Sequence, residues 1–222
     1  MTAEPPILHP DSGHQPPTPV RTITGLRKAA AHCTACALYR EATQIVFGEG
    51  PEGALVMLIG EQPGDAEDRA GHPFVGPAGK LLDRCLAEAG IDRTRTYITN
   101  VVKHFKWVPR GPRRIHSKAG AVEIEACFPW LEAEIAAVKP QIIVALGATA
   151  VQALFGRTFR VTRDRGRLVP SALAPYALAT VHPSSLLRAP DEATQERETR
   201  KFVEDLCKVA AISDMSQRCS SD

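Results

Sequence analysis

Two cysteines have the spacing of a metal half-site. Cys33 and Cys36 form a Cys-x-x-Cys pair ahead of the first predicted strand. No thioredoxin-like βαβ pattern follows directly, so a metal or an iron–sulfur cluster is favoured over a redox dithiol. Such a site needs two more ligands, and the spacing does not separate zinc from a [4Fe–4S] cluster. The candidates for these two ligands are Cys127, Cys85, Cys207 and His104.

These candidates differ in their surroundings. Cys85 shares a helical stripe with Leu81 and Leu82, and this position favours burial in the core. Cys207 lies in a similar apolar setting. His104, by contrast, ends a predicted strand and begins a basic loop, where a metal bond would hold that loop in place.

The charge is unevenly distributed along the chain. The total is only +2, but residues 93–118 contain eight Lys or Arg and no Asp or Glu. Residues 157–169 add five Arg against one Asp, whereas residues 61–68 are acidic. Phe105 and Trp107 lie among the basic residues. This pattern is typical of a nucleic-acid surface and is less typical of a membrane surface.

The elements that position these residues alternate along the chain. Short apolar runs predict strands at 54–60, 96–102, 141–147 and 176–182. Helices are predicted at 77–90, 119–138, 148–156 and 191–212. The order predicts an α/β fold of three layers, α/β/α, around a central, mostly parallel, four-stranded sheet. Ligands bind beyond the carboxyl ends of such strands, here at 61–76, 103–118, 147–149 and 182–188.

Length and composition set the remaining expectations. The 222 residues predict a single domain at 23–212, with a proline-rich disordered tail at 1–22 and a second tail at 213–222. The longest uncharged stretch, 140–156, is too short to cross a bilayer. The first residues do not resemble a signal peptide. We therefore expect a cytoplasmic monomer with no membrane partner.

Four segments at the strand ends together resemble a known family. They read GEQPGD at 60–65, HPFVGPAG at 72–79, YITNVVK at 97–103 and HPSS at 182–185. In this order they resemble the uracil-DNA glycosylase superfamily, especially its iron–sulfur family 4. The resemblance extends from Cys33 to the last helix.

Two departures from family 4 make the resemblance more specific. Gln62 stands where family 4 usually has glycine, and a basic segment, RGPRRIH at 110–116, is added after the third motif. Both features resemble the UdgX branch, whose members excise uracil and become joined to the DNA through a loop histidine. Pro112 stands where that branch usually has lysine.

The resemblance implies a role for each matching residue. His116 would attack the sugar C1′ and Glu61 would either take up its proton or stabilise the sugar cation, while His182 would stabilise the leaving base. The residues implied to bind the uracil are Gln62, Gly64, Asp65, Phe74, Asn100 and His182. The residues implied to bind or wedge the DNA are Arg113, Arg114, Ser184, Ser185, Leu186, Leu187 and Arg188.

The resemblance also implies a [4Fe–4S] cluster. Its ligands would be Cys33, Cys36, Cys127 and His104, because His104 stands where family 4 has a cluster cysteine. A cluster completed by Cys85, or one with an open site, is the alternative.

The sequence therefore predicts a single-turnover uracil-DNA glycosylase that traps itself on uracil-containing DNA, single-stranded and also double-stranded, through His116. One alternative is a multiple-turnover family 4 enzyme that uses water. Another is a non-catalytic iron–sulfur module for DNA binding or redox sensing. A nicotinamide enzyme is disfavoured, because no Gly-x-Gly-x-x-Gly follows the first strand.

Overall fold

The computed structural model describes residues 21–219, with side chains as far as residue 212. The predicted tail at 1–22 and the end of the tail at 213–222 thus lie largely outside the described residues. The strands are β1 (Val56–Gly60), β2 (Thr96–Asn100), β3 (Trp107–Arg110), β4 (Arg113–His116), β5 (Ile142–Leu146), β6 (Leu168–Val169) and β7 (Tyr176–Thr180). The helices are α1 (Ile23–Ala30), α2 (Asp65–Ala70), α3 (Pro77–Glu88), α4 (Ala121–Val138), α5 (Ala148–Phe155), α6 (Val161–Asp164), α7 (Pro183–Leu186) and α8 (Glu192–Cys219). The last helix, predicted to end at residue 212, continues to Cys219.

The central sheet has the strand order β2-β1-β5-β7-β6. The first four strands pair in parallel, as predicted. The prediction of four strands was wrong by one, because Leu168–Val169 adds a short antiparallel strand beside β7. Two residues with no alternating pattern give too weak a signal to be read as a strand.

Two hydrophobic cores cover the two faces of this sheet, which confirms the three-layer fold. Successive strand residues point to opposite faces, so Met57 and Ile59 enter one core while Val56 and Leu58 enter the other. The core of Met57 includes residues of α1, α4 and α5. The core of Val56 includes residues of α3 and α8.

The loops at the strand ends contain more structure than the sequence predicted. The segment 61–76 includes α2, whose first turn carries Asp65, Glu67 and Asp68, and acidic residues at that position stabilise a helix through its dipole. The basic segment 103–118 includes the antiparallel strands β3 and β4. They form a separate two-stranded sheet, called here the hairpin (Trp107–His116).

No helix in the described part of the chain is long and apolar enough to span a membrane.

Candidate active site

Gly60 and Asn100, at the ends of β1 and β2, belong to a group of residues that also includes Phe74 and His182 and is called here the pocket. Gly60 pairs with Asn100, and the Oδ1 atom of Asn100 is buried with no hydrogen-bond partner in the described residues. A Cβ atom at Gly60 would overlap this oxygen and lie 2.8 Å from Cζ of Phe74. Glycine therefore lets the Asn100 amide and the Phe74 ring pack directly against the strand. An unpaired buried acceptor is costly, so this oxygen is suited to receive an N–H from a ligand.

Phe74 supplies an aromatic surface on the next side of the pocket. Its backbone has φ +57°, which is unusual for a bulky residue. Gly79, at the start of α3, makes this conformation possible, because a Cβ atom there would overlap the carbonyl group of Phe74. The Phe74 ring lies 5.7 Å from the His182 ring, centroid to centroid. A planar ligand could stack on Phe74 with its edges toward Asn100 and His182.

His182 follows β7 and is held in one tautomer. Its Nδ1 accepts a hydrogen bond of 3.1 Å from the Ser184 backbone N–H, so the neutral ring carries its proton on Nε2. Burial lowers the pKa of His182 to about 4, against the opposing field of Glu61. The charges of Arg188 and His116 also lower this pKa. At neutral pH the ring is therefore an uncharged Nε2–H donor.

Glu61 is held from two sides. Its Oε1 accepts from the Ala119 backbone N–H at 3.1 Å, and its Oε2 accepts from the Thr149 hydroxyl at 2.6 Å. Its negative charge acts on His182 across the pocket. Glu61 is thus a fixed anionic group near the site.

His116 occupies the end of the hairpin beside the pocket. It pairs with Trp107 across the two strands, is exposed, and has its ring 6.3 Å from that of Phe105. His116 is among the groups that lower the pKa of His182, so the two imidazoles lie within electrostatic range of each other. The structure therefore brings His116, His182 and Glu61 into one region.

Gln62 attaches the hairpin to the loop after β1. Its Nε2 donates to the carbonyl oxygens of Lys106, at 3.2 Å, and Ser117, at 3.0 Å, which flank the two strands. The amide group is thus used to hold the base of the hairpin. Its Oε1 is buried with no partner in the described residues, so it is available to a ligand.

Arg114 attaches the hairpin to α2. Its Nε lies 2.5 Å from Asp65 Oδ1, and its Nη1 lies 2.7 Å from Asp68 Oδ2. The guanidinium also lies 5.5 Å from the ring centres of both Phe105 and Trp107. Arg114 and His116 are two residues apart in β4 and so share a face, which means that this anchor also sets the direction of His116.

These contacts alter the expectations for several predicted ligands. Burial acts to raise the pKa of Asp65, but hydrogen bonds from Arg69 and Arg114 outweigh it and lower that pKa. The Asp65 carboxylate thus already accepts hydrogen bonds from these arginines. The Gly64 N–H likewise donates to Glu67 Oε2, at 3.1 Å. Arg114 is turned away from solvent, whereas Arg113 is exposed. Their predicted roles toward substrate and DNA remain predictions.

The loop after β7 separates the two wedge candidates. Leu186 is only 2% exposed and belongs to the core, whereas Leu187 is 40% exposed. Ser184 Oγ lies 2.8 Å from His182 Nδ1, and Ser185 Oγ donates to the His182 carbonyl at 2.7 Å. Both serines thus hold His182, and their predicted phosphate contacts remain predictions.

Two further residues support the site and were missed by the sequence analysis. Glu67 accepts from the Gly64 N–H and, at 2.8 Å, from the Gly76 N–H, so it joins the first motif to the loop of Phe74. Thr149 holds Glu61. Both lie in segments that the strand-end rule selected, but a carboxylate and a hydroxyl among many gave no signal of these roles.

Three of the predicted cluster ligands lie together. The thiols of Cys33 and Cys36 act electrostatically on that of Cys127, and burial raises the pKa of Cys127 to about 12. Trp130 Nε1 lies 3.3 Å from Cys33 Sγ, and the Lys103 N–H donates to Cys127 Sγ at 3.2 Å. Within the described residues, no three His, Cys, Asp or Glu side chains converge as on a single metal ion.

The two hydrophobic cores restrict which residue could be the fourth cluster ligand. Cys85 packs in the core of α3 and α8, whereas Cys127 belongs to the core on the opposite face of the sheet, against which Cys33 and Cys36 pack. Cys85 is therefore excluded as a partner of these three cysteines. His104 is buried and directly follows Lys103, whose backbone N–H contacts Cys127 Sγ. Its part as a ligand remains a prediction.

Comparison with known proteins gives a consistent result. Residues 47–207 match the family described as the Uracil DNA glycosylase superfamily. The chain is 39% identical over 182 residues to a type-4 uracil-DNA glycosylase of Thermotoga maritima, which covers 81% of this chain and 88% of that protein. It is 38% identical over 172 residues to the type-4 enzyme of Pyrobaculum aerophilum, over 74% of this chain and 84% of that protein.

We expect His182 to make the fold sensitive to acid. Its pKa is about 4 in the folded protein, against the ordinary 6.5, so the unfolded chain binds more protons between these values. The free energy of unfolding should therefore fall as the pH falls from about 6.5 to about 4. His182→Asn should remove this part of the dependence, as measured by urea unfolding of both proteins at several pH values. An equally steep decline in the variant would contradict the assignment.

Proposed function

The chain belongs to the uracil-DNA glycosylase superfamily, and we propose that it excises uracil from DNA and then becomes covalently joined to the sugar through His116. One observation carries the covalent part of the proposal. The hairpin that bears His116 is attached by Gln62 and Arg114 to the loop and helix after β1, which supports a fixed position for the strand that carries the imidazole. A solvated loop histidine would need no such anchors.

The pocket suits a uracil ring. Asn100 Oδ1 would accept the N3–H of the base, and Phe74 would stack on its face. The base would leave with the electron pair of the C1′–N1 bond. His182 Nε2–H would donate to O2 as negative charge develops there, and a neutral donor fixed in place needs no reorganisation.

The sugar cation left behind would be captured by His116. A nitrogen lone pair of the neutral imidazole would form the new bond to C1′, and the proton on the other ring nitrogen would then be lost to solvent or to Glu61. Both Glu61 oxygens already accept hydrogen bonds, which favours its role as a fixed negative charge that stabilises the cation. Water is excluded from the product because the imidazole occupies its position.

The DNA strand would lie over the exposed residues around this pocket. Leu187 would enter the gap left by the flipped nucleotide, while Arg188 and Arg113 would contact phosphates. Arg114 is not needed for this, because its charge is neutralised by Asp65 and Asp68. A cytoplasmic, monomeric protein remains our expectation.

The cysteines fit an iron–sulfur cluster. Cys33, Cys36 and Cys127 supply sulfur from two separate segments, and N–H groups of Trp130 and Lys103 point at two of the sulfurs, as is common around clusters. A [4Fe–4S] cluster distributes its ligands around a cube, so they need not converge on one point. With His104 as the fourth ligand, it would cross-link α4, the segment after α1 and the segment after β2.

The covalent step can be tested on a denaturing gel. Wild-type protein mixed with uracil-containing single-stranded DNA should give a stable, slower band, and His116→Ala should give none. His32→Ala, which removes an exposed histidine outside the site, should behave like wild type. Accumulation of free abasic DNA by the wild type without a band would contradict the covalent step and indicate a multiple-turnover enzyme. No base release at all would contradict the glycosylase activity.

The close packing of Asn100 and Phe74 against Gly60 gives a second prediction. Gly60→Ala should slow uracil release by about 100-fold, because the added methyl group displaces the Asn100 amide from its position. The same overlap should lower the thermal unfolding midpoint by a few degrees, whereas the affinity for undamaged DNA should change little. A variant that releases uracil at the wild-type rate would show that the base does not bind between Asn100 and Phe74.

The cluster is tested by metal analysis. Purified protein should contain iron and sulfide and absorb visible light, and Cys36→Ser should lose most of both. Cys207→Ser, at an exposed cysteine on α8, is the matched control and should retain them. Zinc in place of iron would contradict the cluster. Retention of iron by Cys36→Ser would contradict the ligand set.

A further inference from the structure

A lysine and a glutamate form an ion pair beneath the end of β2. The side chains of Lys103 and Glu134 are both 0% exposed, and Lys103 Nζ donates to Glu134 Oε2. Burying two charges costs free energy that their attraction often does no more than offset, and apolar residues commonly replace such pairs without loss. The pair therefore calls for an explanation beyond stability.

The ammonium group holds the end of the strand that carries Asn100. An ammonium has three N–H donors, and here they are directed at Glu134, at Thr99 Oγ1 (2.7 Å) and at the main-chain oxygen of Asn100 (2.7 Å). Asn100 is the last residue of β2, and after it the chain leaves the sheet. Lys103 thus fixes the peptide group at the point where the strand turns.

Glu134 holds the ammonium in position. Its Oε1 accepts from the Tyr97 hydroxyl at 2.9 Å and from the Gly48 backbone N–H at 3.0 Å. Burial and the neighbouring carboxylate raise the pKa of Tyr97, so the phenol remains a donor. With its own position fixed by β2 and by the segment before β1, Glu134 restrains Lys103.

The side chain of Asn100 lies on the opposite side of this arrangement, in the pocket above Gly60. Its Oδ1 needs a defined direction, because it has no hydrogen-bond partner in the described residues to hold it. The backbone of Asn100 sets that direction, and Lys103 is the charged group that contacts this backbone.

We propose that Lys103 is a positioning residue for base recognition, whose ammonium aims the Asn100 amide by holding the Asn100 carbonyl. This inference rests on the proposed uracil excision. Lys103 does not touch the base and exchanges no proton in the reaction. Its backbone N–H also contacts Cys127 Sγ, so one residue connects the cysteine group with the base-reading strand end.

The test removes the ammonium without leaving a buried charge. Lys103→Met combined with Glu134→Gln makes the pair neutral, and the glutamine Oε1 still accepts from Tyr97 and Gly48. Uracil release by excess protein should slow by roughly 10- to 100-fold, as expected for the loss of a hydrogen bond from a charged group. The matched control is Lys201→Met combined with Glu198→Gln, which removes an ion pair on the surface of α8 and should release uracil at close to the wild-type rate.

A double-mutant cycle separates positioning from general damage. If Lys103 acts through Asn100, the Lys103→Met and Glu134→Gln pair should cause little further loss in an Asn100→Ala background. Losses that multiply independently would overturn the proposal, as would an unchanged rate in the variant with Asn100 intact. The iron content should stay at the wild-type level, because the Lys103 N–H belongs to the main chain.

Two further results, a variant that does not fold and a wild-type protein that releases no uracil, are separated as follows. If the methionine variant does not fold, Lys103→Gln with Glu134→Gln repeats the cycle, because the shorter amide at position 103 can pair with the new amide on α4 but cannot also reach the Asn100 carbonyl. If wild-type protein releases no uracil, the proposed function fails and this inference fails with it. Normal release by wild type with normal release by the variants overturns only the inference.

Discussion

The candidate site depends on the parallel pairing of β1 with β2 and β5, and of β5 with β7. Parallel strands place their carboxyl ends at one edge of the sheet. Asn100 ends β2, and Glu61 and His182 follow β1 and β7, so the three residues lie at the same edge. Glycines at two strand ends let these side chains pack close to the neighbouring main chain. A Cβ atom at Gly60 would overlap Asn100, and one at Gly147 would lie 2.9 Å from His182 Cβ.

Burial at this edge decides which groups are charged. His182 is neutral because desolvation outweighs the field of Glu61. Arg114 forms ion pairs with Asp65 and Asp68, and Lys103 forms one with Glu134. The acidic loop and the basic segment thus neutralise each other where they meet, while Arg113 of the basic segment faces solvent.

The sequence predicted the strand ends well and their side-chain contacts poorly. Apolar runs and turn residues locate β1, β2, β5 and β7, because burial on both faces leaves a strong local pattern. The hairpin was predicted as a loop, since its four-residue strands pack against no core of their own. The ion pairs of Arg114 and the hydrogen bonds from Gln62 to the hairpin could not be predicted. Both join segments that are more than 40 residues apart in the sequence. Cys85 could not be excluded as a cluster ligand from the sequence, because the spacing of residues does not show on which face of the sheet a helix packs.

His116 lies on the hairpin, and the contacts that hold the hairpin in place come from other segments of the chain. A two-stranded hairpin is at best marginally stable alone. Here Gln62 holds its base, Arg114 holds β4 against α2, and Trp107 Nε1 donates to the Glu41 carbonyl at 3.0 Å. Gln62 directly follows Glu61, and Asp65 begins α2, so the segment that forms one side of the candidate site also positions the strand of His116. An imidazole competes with water for a short-lived cation only when its place is fixed in advance. The self-trapping that we propose would therefore depend on these anchors as much as on the histidine that they hold.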